Sequence, residues 1–133
     1  MSEGFKLEIV NPERSFLSKD GVSEVVIPAF EGDMGILKDH ISIISFLKPG
    51  LLKVFDSGPN EETYYVEDGI IEFKNNCLSI LTSNIIDIKK MDNNFAKDSL
   101  IKAEQDAQKN DISDQSKYLL DQKIEVLKSL TLN

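Results

Sequence analysis

The chain has one cysteine, one histidine and one arginine in 133 residues. Cys77 alone excludes an internal disulfide and any zinc cage built on several thiolates. His40 alone excludes a multi-histidine metal site within one chain. Arg14 permits at most one bidentate guanidinium grip on a phosphate. No apolar run exceeds a few residues, so no membrane-spanning helix is expected. The opening Met1–Val10 lacks the long apolar core of a signal peptide. The phosphate-loop pattern G-x-x-x-x-G-K-[ST], the dinucleotide pattern G-x-G-x-x-G and the nucleophile elbow G-x-S-x-G are all missing. Bases are the scarcer charge, 15 against 23 acids, for a net charge of −8. Such a chain is poorly suited to nucleic acid or an anionic membrane surface and better suited to a basic protein partner.

Glycine and proline are absent from Lys89 to Asn133, and every one of them lies before residue 70. Residues 1–88 carry all of the net negative charge, while residues 89–133 are neutral. This composition shift marks a module boundary, giving 1–88 and 89–133. The first module alternates with a period of two, as in Phe5, Leu7 and Ile9. Turn signals punctuate it at Asn11-Pro12-Glu13-Arg14, Lys48-Pro49-Gly50 and Asp56-Ser57-Gly58-Pro59-Asn60. Val22–Ile27 reads as a strand stopped by Pro28, and Ile41–Leu47 as another apolar strand. Leu52 and Val54 precede the turn at 56–60, and Tyr64 and Val66 follow it. Ile71 and Phe73 are expected to pair with Leu78 and Ile80 across a tight Asn75-Asn76 turn. Short strands with turns every 8–12 residues predict an all-β sandwich or barrel.

The second module has a 3.6-residue period. Phe95, Ala96, Leu100, Ala103 and Ala107 form one stripe, with Asp92 as N-cap. Lys109-Asn110-Asp111 breaks the pattern, and Asn110 suits a left-handed cap. Asp111 or Ser113 then caps a second helix with the stripe Leu120, Ile124 and Leu127, joined by Tyr118 and flanked by Leu119, Val126 and Leu130. The expected architecture is a β-sandwich followed by an antiparallel two-helix hairpin, a candidate bistable element.

Candidate chemistry is thin. Asp39-His40 would need Ser42 or Ser45 to complete a triad, and a role in fixing a loop or an interface fits better. Cys77 in a strand pattern reads as a packing residue. Glu61-Glu62 and Glu67-Asp68 read as solvated strand-end charge. Glu31-Gly32-Asp33-Met34-Gly35 reads as a tight loop between strands. The residues alone describe an interaction protein rather than an enzyme, with no cofactor and no metal. A small-ligand sensor using the hairpin as a switch is the alternative.

The run Glu31-Gly32-Asp33-Met34-Gly35-Ile36-Leu37-Lys38-Asp39-His40 resembles the E-G-x-x-G-I/V-L-x-x-H segment of the epsilon subunit of F-type ATP synthases. Leu7–Glu13 resembles that family's opening, and Leu47-Lys48-Pro49-Gly50 its L-x-P-G turn. Val66-Glu67-Asp68-Gly69-Ile70-Ile71-Glu72 resembles its V-x-G-G-F-x-E strand, with Asp68 at the usual first glycine. The resemblance covers essentially the whole chain. It implies a non-catalytic rotor subunit that binds the gamma subunit, contacts the loops of the c ring and couples rotation to ATP synthesis. It implies a peripheral place on the cytoplasmic face of the plasma membrane, with no direct membrane insertion. By resemblance, Glu31, Gly32, Asp33 and His40 map to the partner-facing end of the sandwich.

Two departures matter. Family members that bind ATP carry a motif like I/L-D-x-x-R-A. Here Met91-Asp92-Asn93-Asn94-Phe95-Ala96 keeps Asp92 and Ala96 but places Phe95 where the arginine would be, so no ATP binding tighter than millimolar is expected. Lys38 and Ser42 stand where prolines are common. The resemblance also implies that the hairpin can brake hydrolysis by meeting the catalytic alpha and beta subunits. Lys117, Lys123 and Lys128 are the candidate contacts, although Asp114, Asp121 and Glu125 interrupt them.

Overall fold

The computed structural model describes residues 4–131. Among these residues the chain divides into two compact units, with the division between Asp87 and Ile88. The first holds nine strands: β1 (Phe5–Asn11), β2 (Arg14–Ala29), β3 (Gly32–Leu37), β4 (Ile43–Leu47), β5 (Gly50–Asp56), β6 (Glu61–Val66), β7 (Gly69–Lys74), β8 (Cys77–Leu81) and β9 (Ile85–Asp87). A 3₁₀ turn, Ile88–Lys90, leads into α1 (Asn93–Ala107) and α2 (Asp114–Thr131).

The strands hydrogen-bond in the order β1-β8-β7-β4-β2-β5-β6-β9, with β3 on β2 and a further β1–β2 pairing. The 16-residue β2 makes this a sandwich. Its first half, to Val22, pairs with β1, while its second half pairs with β3 and β5. The change of partner falls where the register shifts and where Gly21 takes a positive φ of 69°. An irregularity of this kind bends a strand so that it passes between layers. The core lies between the layers and includes Leu7, Ile9, Val25, Ile27, Leu52, Ile71, Phe73, Leu78 and Ile80.

Local chemistry sets the turns. Asn11 Oδ1 accepts from the Glu13 amide at 3.0 Å and closes the β1–β2 turn. Asn75 and Asn76 both take left-handed backbone, φ 53° and 55°, the conformation that a two-residue hairpin turn demands. Across it Ile71 pairs with Ile80 and Phe73 with Leu78, the expected register. Pro28 does not stop its strand. It stays in β2 opposite Asp33, two residues past the last β2–β5 pair, where β5 asks no amide of it. The glycine-rich run is also more strand than loop. The turn is Phe30-Glu31, and Gly32–Leu37 is β3.

The helical unit follows its period, except at Phe95, Asn110 and Tyr118. Asp92 caps α1 by accepting from the Asn94 amide at 2.9 Å. Ala96 and Ala103 are buried, but Phe95 is exposed, since it lies about 100° round the helix from Ala96. Asn110 is not left-handed, and α1 ends at Gln108 in right-handed backbone. Ser113, rather than Asp111, caps α2, its Oγ accepting from the Ser116 amide at 3.1 Å. Leu127 is the buried residue of α2, Leu120 and Ile124 are partly covered, and Tyr118 is exposed. The two helices pack on each other.

Candidate functional site

β3 separates the residues that the sequence grouped. Glu31, Gly32 and Asp33 sit at its start and His40 follows its end, six extended residues away, or roughly 17–20 Å. Glu31 and Asp33 are exposed. Ser45 Oγ donates to Glu31 Oε2 at 3.4 Å, and the Phe30 amide bonds the Phe46 carbonyl at 2.9 Å, so this turn is tied to β4.

At the other end Asp39 and Asn76 clasp two loops together. The Asp39 amide donates to Asn76 Oδ1 at 2.7 Å, and Asn76 Nδ2 donates to Asp39 Oδ1 at 2.9 Å. The His40 ring stands edge-on to Phe73, centroids 5.9 Å apart, with Nδ1 2.8 Å from the Ile41 carbonyl oxygen. Asp39 is thus engaged with an amide and His40 with a carbonyl and a ring. Ser45 is buried with its hydroxyl turned to Glu31. No acid–base–nucleophile line is assembled from these groups. A shallow cavity of about 290 Å³ beside them is lined by Ser42, Ile43, Ile44, Glu72, Phe73 and Lys74. No group of three or more metal-ligating side chains is found among the described residues.

The sequence reading missed an apolar row. Phe46 in β4 pairs with Ile70 in β7, Ile70 with Leu81 in β8, and Leu81 with Val10 in β1. All four are exposed: Phe46 59%, Ile70 44%, Leu81 50% and Val10 36%. Ile44, 69% exposed, extends the surface along β4. Contiguous exposed apolar surface of this kind marks an interaction site. The signal was present in the sequence as apolar doublets: Ile9-Val10, Phe46-Leu47, Ile70-Ile71 and Ile80-Leu81. Alternation sends one member of each pair inward and the other outward. The row lies at the Glu31 end of the sandwich, because Phe46 is bonded to Phe30.

In the helical unit Asp92 spends its carboxylate on the α1 cap, and Ala96 is buried. Lys117 and Lys128 fall within about 20° of each other on α2, while Lys123 lies about 120° away. The three lysines do not share one face. Among the described residues no helix is long and apolar enough to cross a membrane.

Among the described residues, a nine-stranded sandwich followed by a helical pair carries an exposed apolar row on its outer face. Residues 4–88, more than half of the chain, match the family model described as ATP synthase, Delta/Epsilon chain, beta-sandwich domain. The ATP synthase epsilon chain of Pelagibacter ubique is 65% identical over 130 residues, covering 98% of this chain and 99% of that one. A chain of the Euglena gracilis mitochondrial ATP synthase superposes with a TM-score of 0.75 at 20% identity, covering 96% of this chain and 79% of that one. A chain of the Tetrahymena thermophila mitochondrial ATP synthase central stalk and c-ring gives 0.65 at 16% identity, with 98% of each chain covered. The chain belongs to the ATP synthase epsilon-chain family.

Proposed function

We propose that this chain is the non-catalytic central-stalk subunit of a proton-translocating ATP synthase. In this reading the outer apolar row binds the gamma subunit, and the corner Glu31-Gly32-Asp33 beside it, where the turn enters β3, faces the c-ring loops. In the same reading the chain lies peripherally at the cytoplasmic face of the membrane as part of the complex. The Tetrahymena relative comes from a central stalk and c-ring assembly, which supports this placement. The observation that carries the reading is the row Phe46–Ile70–Leu81–Val10, exposed across four paired strands. Exposed acids in the turn supply orientation to basic ring loops more than affinity. His40, at the far end of β3, is assigned to holding its loop on Phe73 rather than to the ring contact.

The test is binding of the gamma subunit by the full chain. Phe46→Asp puts a charge at the end of the row and is expected to weaken binding by at least about thirty-fold, the loss of one interface hot spot. Unchanged affinity would remove the row from the interface. Charge reversal at Glu31 and Asp33 is expected to preserve gamma binding while impairing coupled ATP synthesis in the rebuilt complex. Normal coupling would remove the turn from the ring contact.

A further inference from the structure

We infer that the outer face is banded by charge, and that the acidic band formed by Glu72 and Glu8 fixes the direction in which the gamma subunit's contacting segment lies on the apolar row. The inference rests on the row's being the gamma-facing surface. The ladder pairs give three parallel bands across β4, β7, β8 and β1. The first is apolar: Phe46, Ile70, Leu81 and Val10. The second is Ile44, Glu72, Ser79 and Glu8, and the third holds Lys74, Cys77 and Lys6. Bands are two residues apart along each strand, roughly 7 Å, and neighbouring strands are about 4.8 Å apart. The apolar band is therefore roughly 14 Å long, and Glu72 and Glu8 are roughly 10 Å apart across β8.

These dimensions fit an amphipathic helix laid along the row. Such a helix is about 10 Å wide and rises 1.5 Å per residue, so about ten residues cover the band. Its apolar side, spaced i, i+3 or i+4, i+7, seats on the row. Its flank reaches the second band, where cations about seven residues apart would meet Glu72 and Glu8. A helix reversed end for end, with its apolar side still on the row, would turn that flank away from the acids. A helix displaced one band further would bring its cations against Lys74 and Lys6, and like charges in contact discriminate strongly. Lys6 already holds Glu8 at 3.1 Å on the exposed surface, so the lysine band competes with the partner for the acids. Acids and lysines therefore act in opposite directions on the same affinity.

The experiment measures the dissociation constant of the full chain for the gamma subunit at low and at moderate salt. Circular dichroism confirms that each variant is folded. Removing both acids, Glu8→Gln with Glu72→Gln, is expected to weaken binding about tenfold at low salt, with the difference shrinking as salt screens it. Removing both lysines, Lys6→Gln with Lys74→Gln, is expected to strengthen it. If Phe46→Asp weakens binding but neither double variant changes the affinity or its salt dependence, the acidic band is overturned and the row stands. If Phe46→Asp leaves binding intact, the row reading fails and this inference with it. Self-association of the chain that Phe46→Asp abolishes would make a second copy the occupant, and would also overturn it.

Discussion

Single residues here are fixed by contacts that leave little latitude. A Cβ added at Gly50 would lie 2.5 Å from Pro28 Cβ, closer than any real contact, and a proline ring cannot swing aside. Gly50→Ala is expected to cost about 1–3 kcal/mol as overpacking, read as a lower urea midpoint at unchanged slope. Tyr64 and Tyr65 have their hydroxyls pushed well above the usual phenol range, first by burial and then by Glu62 and Glu67 beside them. The shift is upward, so their contribution to stability is complete below the unfolded value near pH 10 and is lost as pH rises past it. Alkaline titration followed by tyrosine absorbance should show both rings ionising together with loss of the fold. Ionisation in an intact fold would contradict this. Asp56 moves the other way. The Asn60 amide, the Gly58 N–H and Lys19 hold its carboxyl below the usual range. Its contribution is present above the unfolded carboxylate value and lost as pH falls through the lower folded one. Asp56→Asn should flatten the acid limb of a stability–pH curve.

At the scale of elements, caps and turns decide where each segment begins and ends. Asp92→Ala removes the acceptor for the Asn94 amide and should cost about 1 kcal/mol of α1 stability, seen as earlier loss of helical ellipticity on heating. Asn76 performs two tasks, since it adopts the left-handed turn and clasps Asp39 across two loops. Asn76→Ala keeps the chain but loses both bonds and strains φ, so a cost of about 1–3 kcal/mol in urea unfolding is expected. The turns were legible because they depend on one or two side chains acting on their own backbone. Pro28 was misread for the opposite reason. Whether a proline ends a strand depends on which neighbour needs its amide, and that neighbour, β5, comes more than twenty residues later in sequence.

For the whole molecule, the two units invite separate tests. Asp92 is spent as a cap and no arginine stands in either helix, so calorimetry with ATP should show no binding tighter than millimolar. A micromolar constant would overturn that expectation. Hydrolysis by the rebuilt catalytic complex should be compared between the full chain and one ending at Asp87. Faster hydrolysis with the shorter chain would make the hairpin a brake. Equal rates with gamma binding retained would assign the work to the sandwich. Because Lys117 and Lys128 share a face of α2 that Lys123 does not, neutralising the first two should have the larger effect on any such brake. The motif grouped Glu31-Gly32-Asp33 with His40, and the fold puts them at opposite ends of β3. The apolar row was not legible, because a doublet such as Ile70-Ile71 shows that one residue points outward without showing which.

The strand and helix periods and the tight turns were readable from the chain alone. These depend on composition and on contacts a few residues apart. That Val10, Phe46, Ile70 and Leu81 form one row, with Glu8 and Glu72 in the next, follows from strand pairing alone. Strand order and register bring these residues together over separations of up to about seventy positions. Ladder hydrogen bonds and a shared core set that order, and no local pattern encodes it.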